Sequence, residues 1–158
     1  MGMVVNREQL LSIRNKLKQS GKKVVFTNGC FDILHRGHVE YLMKAKELGD
    51  VLIVGVNSDE SVKRIKGPKR PIVCEEDRAF IISALQPVDY VCIFEEDTPR
   101  SLIEAIVPDV LVKGADWKID NVVGRDIVEA NGGLVKTIAL VPNRSTTDII
   151  EKIFNSGT

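Results

Sequence analysis

Histidine is scarce in this chain, charge of either sign is not in excess, and no long apolar run occurs. Each shortage excludes something. With 22 Lys+Arg against 22 Asp+Glu the formal net charge is zero, so the basic surplus that marks nucleic-acid and membrane-surface proteins is missing. Apolar runs such as Val51–Val54 are far shorter than a bilayer span needs. Met1–Gln19 is polar and amphipathic, without the apolar centre of a signal peptide. Neither a membrane nor a nucleic acid is therefore expected as a partner, and the cytoplasm is the expected location. The three cysteines, Cys30, Cys74 and Cys92, are odd in number and far apart, which argues against a disulfide framework and for reduced thiols. Only two histidines are present, with no HExxH pattern. A histidine-built metal centre lacks its third ligand, and no protein metal site is expected.

What is there is a chain of 158 residues, 44% apolar and 28% charged, enough for one domain with its own core and too little for two. Leucine spacing over residues 7–18 predicts a helix. Residues 1–22 are thus expected as a leading helix packed on a domain formed by 23–158. Strands are expected at 23–27, 51–56, 89–94, 109–112 and 134–138. Helices are expected at 38–48, 59–65, 75–85, from Thr98-Pro99 to about Ile106, at 122–131 and at 147–154. Strands alternating with helices imply parallel pairing through right-handed crossovers, hence an α/β fold with a doubly wound parallel five-stranded sheet. Such sheets bind ligands beyond the carboxyl ends of their strands, where strand order reverses.

Both histidines fall in the turn after the first long strand, as His35-Arg36-Gly37-His38. A strand that breaks at Gly29 and re-forms as a helix presents backbone N–H groups and the positive end of the helix dipole at one point, a ready anion site. Gly37 lets a phosphate approach the backbone, and the two imidazoles can donate to its oxygens. The loop is neither a Walker A sequence nor a GxGxxG fingerprint, so kinase and dehydrogenase readings lose support.

Two more polar turns follow strands and can converge on the same crevice. Arg144-Ser145-Thr146-Thr147 has capping form, with Asp148 in place of Glu, and its cation and hydroxyls also suit triphosphate oxygens. Lys113-Gly114-Ala115-Asp116 permits close backbone approach and offers Asp116 to a ribose hydroxyl or a nearby basic group. The basic loop carrying Lys66, Lys69 and Arg70 is a candidate grip on a second phosphate. Cys30 reads as a small packed side chain, because phosphoryl chemistry needs no thiol. Phe31 and Trp117 read mostly as packing, though either can border a base.

The run Asn28-Gly29-Cys30-Phe31-Asp32 into His35-Arg36-Gly37-His38, with Ser145-Thr146-Thr147 near the end, resembles the HxGH nucleotidylyltransferases. Within that group residues 7–154 are similar to the adenylyltransferase domain of the bifunctional ADP-heptose synthases, through Thr27–Asp32, Phe94–Pro99, Leu111–Gly114 and Arg144–Thr147. The resemblance implies a Rossmann-like fold. It also implies transfer of AMP from ATP, accompanied by Mg2+, to D-glycero-β-D-manno-heptose 1-phosphate, with ADP-heptose for lipopolysaccharide core assembly and pyrophosphate as products. By the same resemblance His35, His38, Lys66 and Arg144 are the catalytic residues. Asn28, Gly29, Cys30, Phe31, Gly37, Lys113, Gly114, Asp116, Ser145, Thr146 and Thr147 line the nucleotide, and Asp32, Lys66 and Arg70 face the sugar phosphate. Ala115 departs from the Gly or Asp more usual in relatives, and Asn143 from Gly. The bifunctional relatives carry a sugar kinase domain ahead of this region, so the chain corresponds to a stand-alone enzyme or to one domain of a longer one. An isologous homodimer suits such a chain.

A phosphate nucleophile is already ionised near neutral pH, so no general base is required and the chemistry rests on positioning and charge neutralisation. Rival readings are a glycerol 3-phosphate cytidylyltransferase, an adenylyltransferase of pantetheine phosphate or FMN, and a non-catalytic nucleotide sensor.

Overall fold

The computed structural model describes residues 1–157, and among these the apolar runs form six strands. They are β1 (Met3–Val4), β2 (Val24–Gly29), β3 (Val51–Asn57), β4 (Tyr90–Phe94), β5 (Val110–Gly114) and β6 (Leu134–Ile138). The helices are α1 (Arg7–Gln19), α2 (Arg36–Lys46), α3 (Asp59–Lys66), α4 (Glu75–Ser83), α5 (Arg100–Ile106), α6 (Arg125–Ala130) and α7 (Thr146–Ser156), with a 3-10 turn at Ile119–Asn121. All strand pairs are parallel, in the order β1-β4-β3-β2-β5-β6.

The expected five-stranded sheet therefore needs correction to six. The added strand lies at the edge beside β4 and is two residues long, too short to show any period in sequence. Backbone bonds extend its attachment, from Gly2 N–H to Ser83 C=O at 2.8 Å and from Val5 N–H to Val91 C=O at 2.9 Å.

Val24, Val25 and Phe26 are all fully buried, because helices cover both faces of the sheet at its centre and the strand there must be apolar on each side. Val25, Val54, Val56 and Val112 pack on one face with Tyr41, Leu42 and Ala45 of α2 and Ala79 and Ile82 of α4. Val24, Phe26, Ile53 and Leu111 pack on the other, against Leu10 of α1, Leu102 and Ile103 of α5 and Val128 of α6. Strand order reverses between β2 and β5, which opens a crevice beyond their carboxyl ends.

Three element starts differ from expectation, the first being α2, which begins at Arg36 rather than 38 because His35 caps it. Pro99 is itself the cap of α5 and no side chain bonds there, so Thr98 does not cap. The helix expected from Val122 begins at Arg125, because Gly124 sits at φ 88, a left-handed conformation that interrupts the helix.

Buried polar side chains brace the loops that lead to the crevice. The Asp32 side chain is 1% exposed and accepts from Arg70 Nε at 2.7 Å. It also accepts from the Ile72 and Val73 N–H groups, each at 2.9 Å. Burial alone would raise this carboxyl, but the two backbone donors and Arg70 prevail and hold it below the usual carboxylate range. Arg78, with a fully buried side chain, donates to Val73 C=O at 2.8 Å, to Asp59 Oδ1 at 2.8 Å and to Cys30 C=O. It ties the loop after β2 to the loop before α4. Arg78→Met leaves these acceptors without a donor and is expected to lower unfolding free energy by about 3 kcal/mol, read as a lower urea midpoint with an unchanged slope.

Candidate active site

The start of α2 is built by its two histidines. His35 is the N-cap, at φ −140 and ψ 172, and its Nδ1 accepts the Gly37 N–H at 3.1 Å. His38, three residues on, returns the favour: its Nδ1 accepts the His35 N–H at 3.3 Å. This is a reciprocal cap of the capping-box kind, made with imidazoles in place of Ser and Glu. The rings stack with centroids 3.8 Å apart and planes 27° apart, and Phe31 meets His38 edge-on at 5.4 Å.

A ring nitrogen that accepts a backbone N–H carries no proton, so each neutral imidazole must hold its proton on Nε2. Both rings are neutral at neutral pH. Burial, then the charge of His35, pushes His38 down to about 4. Burial and the nearby Arg144 lower His35, with Asp148 pulling the other way. The pair thus presents two uncharged N–H donors, and positive charge in the crevice comes from Lys66, Arg70, Lys113 and Arg144.

Phe31 holds a left-handed backbone at φ 48, which is strained for a residue with a side chain. The conformation turns its ring inward to 6% exposure, over Gly29, where a Cβ would stand 2.9 Å from the ring. Beneath the turn, Thr27 Oγ1 and Tyr41 Oη bond at 2.6 Å, and both reach Val112 C=O, at 3.0 and 3.2 Å. These bonds join β2, α2 and β5 at the switch point. Burial pushes the Tyr41 phenol up to about 12, against the Thr27 bond, so it stays protonated.

The C-terminal turn is fastened to the same place. Ser145 Oγ caps α7 by accepting the Asp148 N–H at 3.0 Å, and Thr146 Oγ1 donates to Ile33 C=O at 2.9 Å. Asn143 takes φ 57, a conformation that glycine adopts freely and asparagine tolerates, which accounts for the exchange at this position. A Cβ at Gly114 would stand 2.7 Å from Asp116 Oδ1, so the glycine lets that carboxylate fold back over the end of β5.

A cleft of about 550 Å3 gathers these turns. The cleft is lined by Asn28, Gly29, Cys30, Phe31, Asp32, His35, Gly37 and His38 after β2, Lys66 and Arg70 from the basic loop, Lys113, Gly114 and Asp116 after β5, and Arg144 to Thr147 before and at the start of α7, whereas Lys69 of the same basic loop does not line it. Asp32 stands in the wall, with its carboxylate occupied by Arg70 and the 72–73 amides, an arrangement that holds the loop. Burial pushes the Cys30 thiol up, against Lys66, Arg78 and Arg70, so it is no thiolate at neutral pH. Tyr41, Asn57, Asp97, Thr98, Pro99 and Val123 also line the cleft. Asp97, Thr98 and Pro99 fall in a stretch that carries the resemblance without being read as site residues, and no motif announces Tyr41, Asn57 or Val123, which tertiary packing brings there.

A parallel sheet whose switch point carries a histidine-capped helix and four cations is a nucleotide-phosphate-binding α/β architecture, of the kind that transfers nucleotidyl groups. Residues 26–152 match the model of the cytidylyltransferase-like family, and the chain belongs to that family. It is 55% identical over 153 residues to the bifunctional protein HldE of Geobacter sulfurreducens, covering 97% of this chain and 31% of that protein. With the HldE of Citrifermentans bemidjiense the identity is 60% over 136 residues, 86% of this chain and 28% of the relative. The chain thus spans about a third of the length of these relatives (31% and 28%). The crystal structure of the lipopolysaccharide core biosynthesis protein from Thermoplasma volcanium superposes with a TM-score of 0.63 at 36% identity, over 77% of this chain and 98% of that one. Pantoate-beta-alanine ligase from Francisella tularensis shares the fold, with a TM-score of 0.59 at 19% identity over 98% of this chain and 78% of that one.

With two histidines in the chain, ring-proton titration by NMR assigns each directly. The His38 resonance is expected to move with a midpoint near 4. Both folded values lie below the ordinary value of 6.5, so the unfolded chain takes up protons first. The stability tied to the neutral rings is present above pH 6.5 and is lost as pH falls toward 4, read as a lower urea midpoint at pH 5 than at pH 7.

Proposed function

We propose that the chain transfers AMP from ATP to D-glycero-β-D-manno-heptose 1-phosphate, releasing pyrophosphate and forming ADP-heptose. The observation that carries the reading is the pair of neutral imidazoles fixed through Nδ1 to the start of α2, with both Nε2 hydrogens free to donate beside a cleft holding Lys66, Arg70, Lys113 and Arg144. The identity with HldE proteins supports heptose activation as the setting.

The chemistry follows from charge. An acceptor phosphate is ionised near pH 7 and attacks the α-phosphorus without a base. Pyrophosphate leaves in line as an anion, and the protein's task is to hold the reactants and neutralise developing charge. His35 and His38 donate through Nε2 to phosphate oxygens, and Arg144 and Lys66 add positive charge. Among the described residues no three His, Cys, Asp or Glu side chains come together as a metal cage. The reading takes a magnesium ion to accompany ATP. Such an ion supplies further charge neutralisation to the departing pyrophosphate.

The reading takes the enzyme to work in the cytoplasm as an isologous homodimer; among the described residues no helix is long and apolar enough to cross a membrane. A second reading follows from the family's description as cytidylyltransferase-like: cytidylyl transfer to glycerol 3-phosphate by the same steps.

Pyrophosphate release measured with ATP or CTP against a panel of sugar 1-phosphates and glycerol 3-phosphate separates the two. Release is expected with ATP and the heptose 1-phosphate. His38→Ala is expected to cut kcat by roughly 100-fold or more with the fold kept by circular dichroism. Full turnover in that variant contradicts the reading.

A further inference from the structure

The two sides of the cleft differ. Val25 and Thr27 of β2 face α2, while Val24 and Phe26 face the opposite layer of α1, α5 and α6. Side chains alternate along a strand, so Asn28 follows Phe26 onto the side away from the histidines. A Cβ on Gly55 would meet Phe26, Phe94 and Asn28 together, at 3.0, 3.2 and 3.3 Å, so Asn28 and Phe26 share that side. Along β5, Val110 and Val112 pack with the α2 layer and Leu111 with the other, so Lys113 follows Leu111. Phe26 pairs with Leu111 across the two strands. Asn28 and Lys113 therefore stand at matching places on neighbouring strands, two residues further on. Thr98 and Pro99, just ahead of α5, and Val123, just ahead of α6, also line the cleft.

Two groups there lack protein partners. Lys113 Nζ lies 5.4 Å from the Trp117 ring centroid and makes no hydrogen bond or ion pair among the described residues, while burial pushes its pKa down and the Asp116 carboxylate nearby pulls the other way. An indole face stabilises an ammonium withdrawn from water while leaving its three N–H donors free. Asn28 Oδ1 is buried without a hydrogen-bond donor, a condition that a ligand hydroxyl would relieve.

We propose that the Lys113 ammonium holds the attacking phosphate of the acceptor, with the Asn28 carboxamide oxygen accepting from a hydroxyl of the same sugar. In-line displacement places the entering and leaving groups on opposite sides of the α-phosphorus. The histidines stand on the α2 side of the switch point, and Lys113 is the one strand-borne cation of the described cleft, on the other side. A free ammonium beside an unfilled acceptor matches a ligand that is both anionic and hydroxylated, as a sugar phosphate is. An acceptor phosphate oxygen forms the new bond to the α-phosphorus, and the α–β bridging bond breaks with its electron pair leaving on pyrophosphate. No proton moves. This assigns Lys113 to the acceptor rather than to the nucleotide, and it rests on the adenylyl-transfer reading above.

The test compares wild type, Lys113→Met and Lys113→Arg in pyrophosphate release with ATP and heptose 1-phosphate, alongside calorimetric binding of α,β-methylene ATP. Lys113→Met is expected to lose roughly 100-fold in kcat/KM for the acceptor, with analogue affinity changed by less than about 2-fold. Lys113→Arg recovers part of the loss. Retained analogue binding certifies the fold. If Lys113→Met does not fold, Lys113→Arg decides: a raised acceptor KM with analogue affinity kept supports the assignment, and an unchanged KM overturns it. A variant that loses analogue affinity and acceptor turnover equally, or neither, overturns the assignment while leaving adenylyl transfer in place. Silence of the wild type with every sugar 1-phosphate overturns adenylyl transfer and this assignment together.

Discussion

Two imidazoles closing the first turn of α2 on each other are the constraint that the rest of the site obeys. A helix start leaves backbone N–H groups without partners, and here the partners are His35 and His38, each bound through Nδ1. The bond that satisfies the backbone also decides the tautomer, and the tautomer decides what the ring offers outward. Each ring therefore offers an N–H donor in fixed orientation, and burial keeps it uncharged. Gly37 has to be a glycine for this arrangement, since a Cβ there would stand 2.9 Å from the His35 ring.

The cap is held in place from below and from the side. Thr27, Tyr41 and the Val112 carbonyl tie the strand before it to the helix after it and to the neighbouring strand. Arg78 and Asp32 fasten the loop between β2 and α2 to the segment ahead of α4. Thr146 ties the start of α7 to Ile33. Loops that carry chemistry are ordinarily mobile. These are braced by buried bonds, which gives a preorganised cradle.

The outline was legible because it depends on local pattern. Parallel strands covered on both faces are continuous apolar runs, so Val24–Phe26 and Val51–Val54 declare themselves. The turn with both histidines is marked by Gly29 and Gly37. What stayed hidden has a physical reason in each case. Met3–Val4 is too short for periodicity. Arg78 looks like any charged residue of an amphipathic helix, and only tertiary structure shows its side chain wholly buried. The reciprocal cap departs from the usual Ser, Thr or Asp start, so in sequence a His38 cap stands as the rival of phosphate binding, whereas the structure gives both rings the capping role through Nδ1. Asn28 and Lys113 were visible as polar residues near strand ends, but the side of the sheet each one takes follows from register.

The central claim, that helix capping sets these rings as neutral Nε2–H donors, is tested most directly by long-range proton–nitrogen correlation spectra of the imidazoles at pH 7, recorded without and with a non-hydrolysable ATP analogue. The account predicts the Nε2–H tautomer for both rings in the free protein, with both Nε2 signals shifting on binding. Nδ1–H tautomers, imidazolium rings in the free protein, or ring signals that ignore the nucleotide would contradict it.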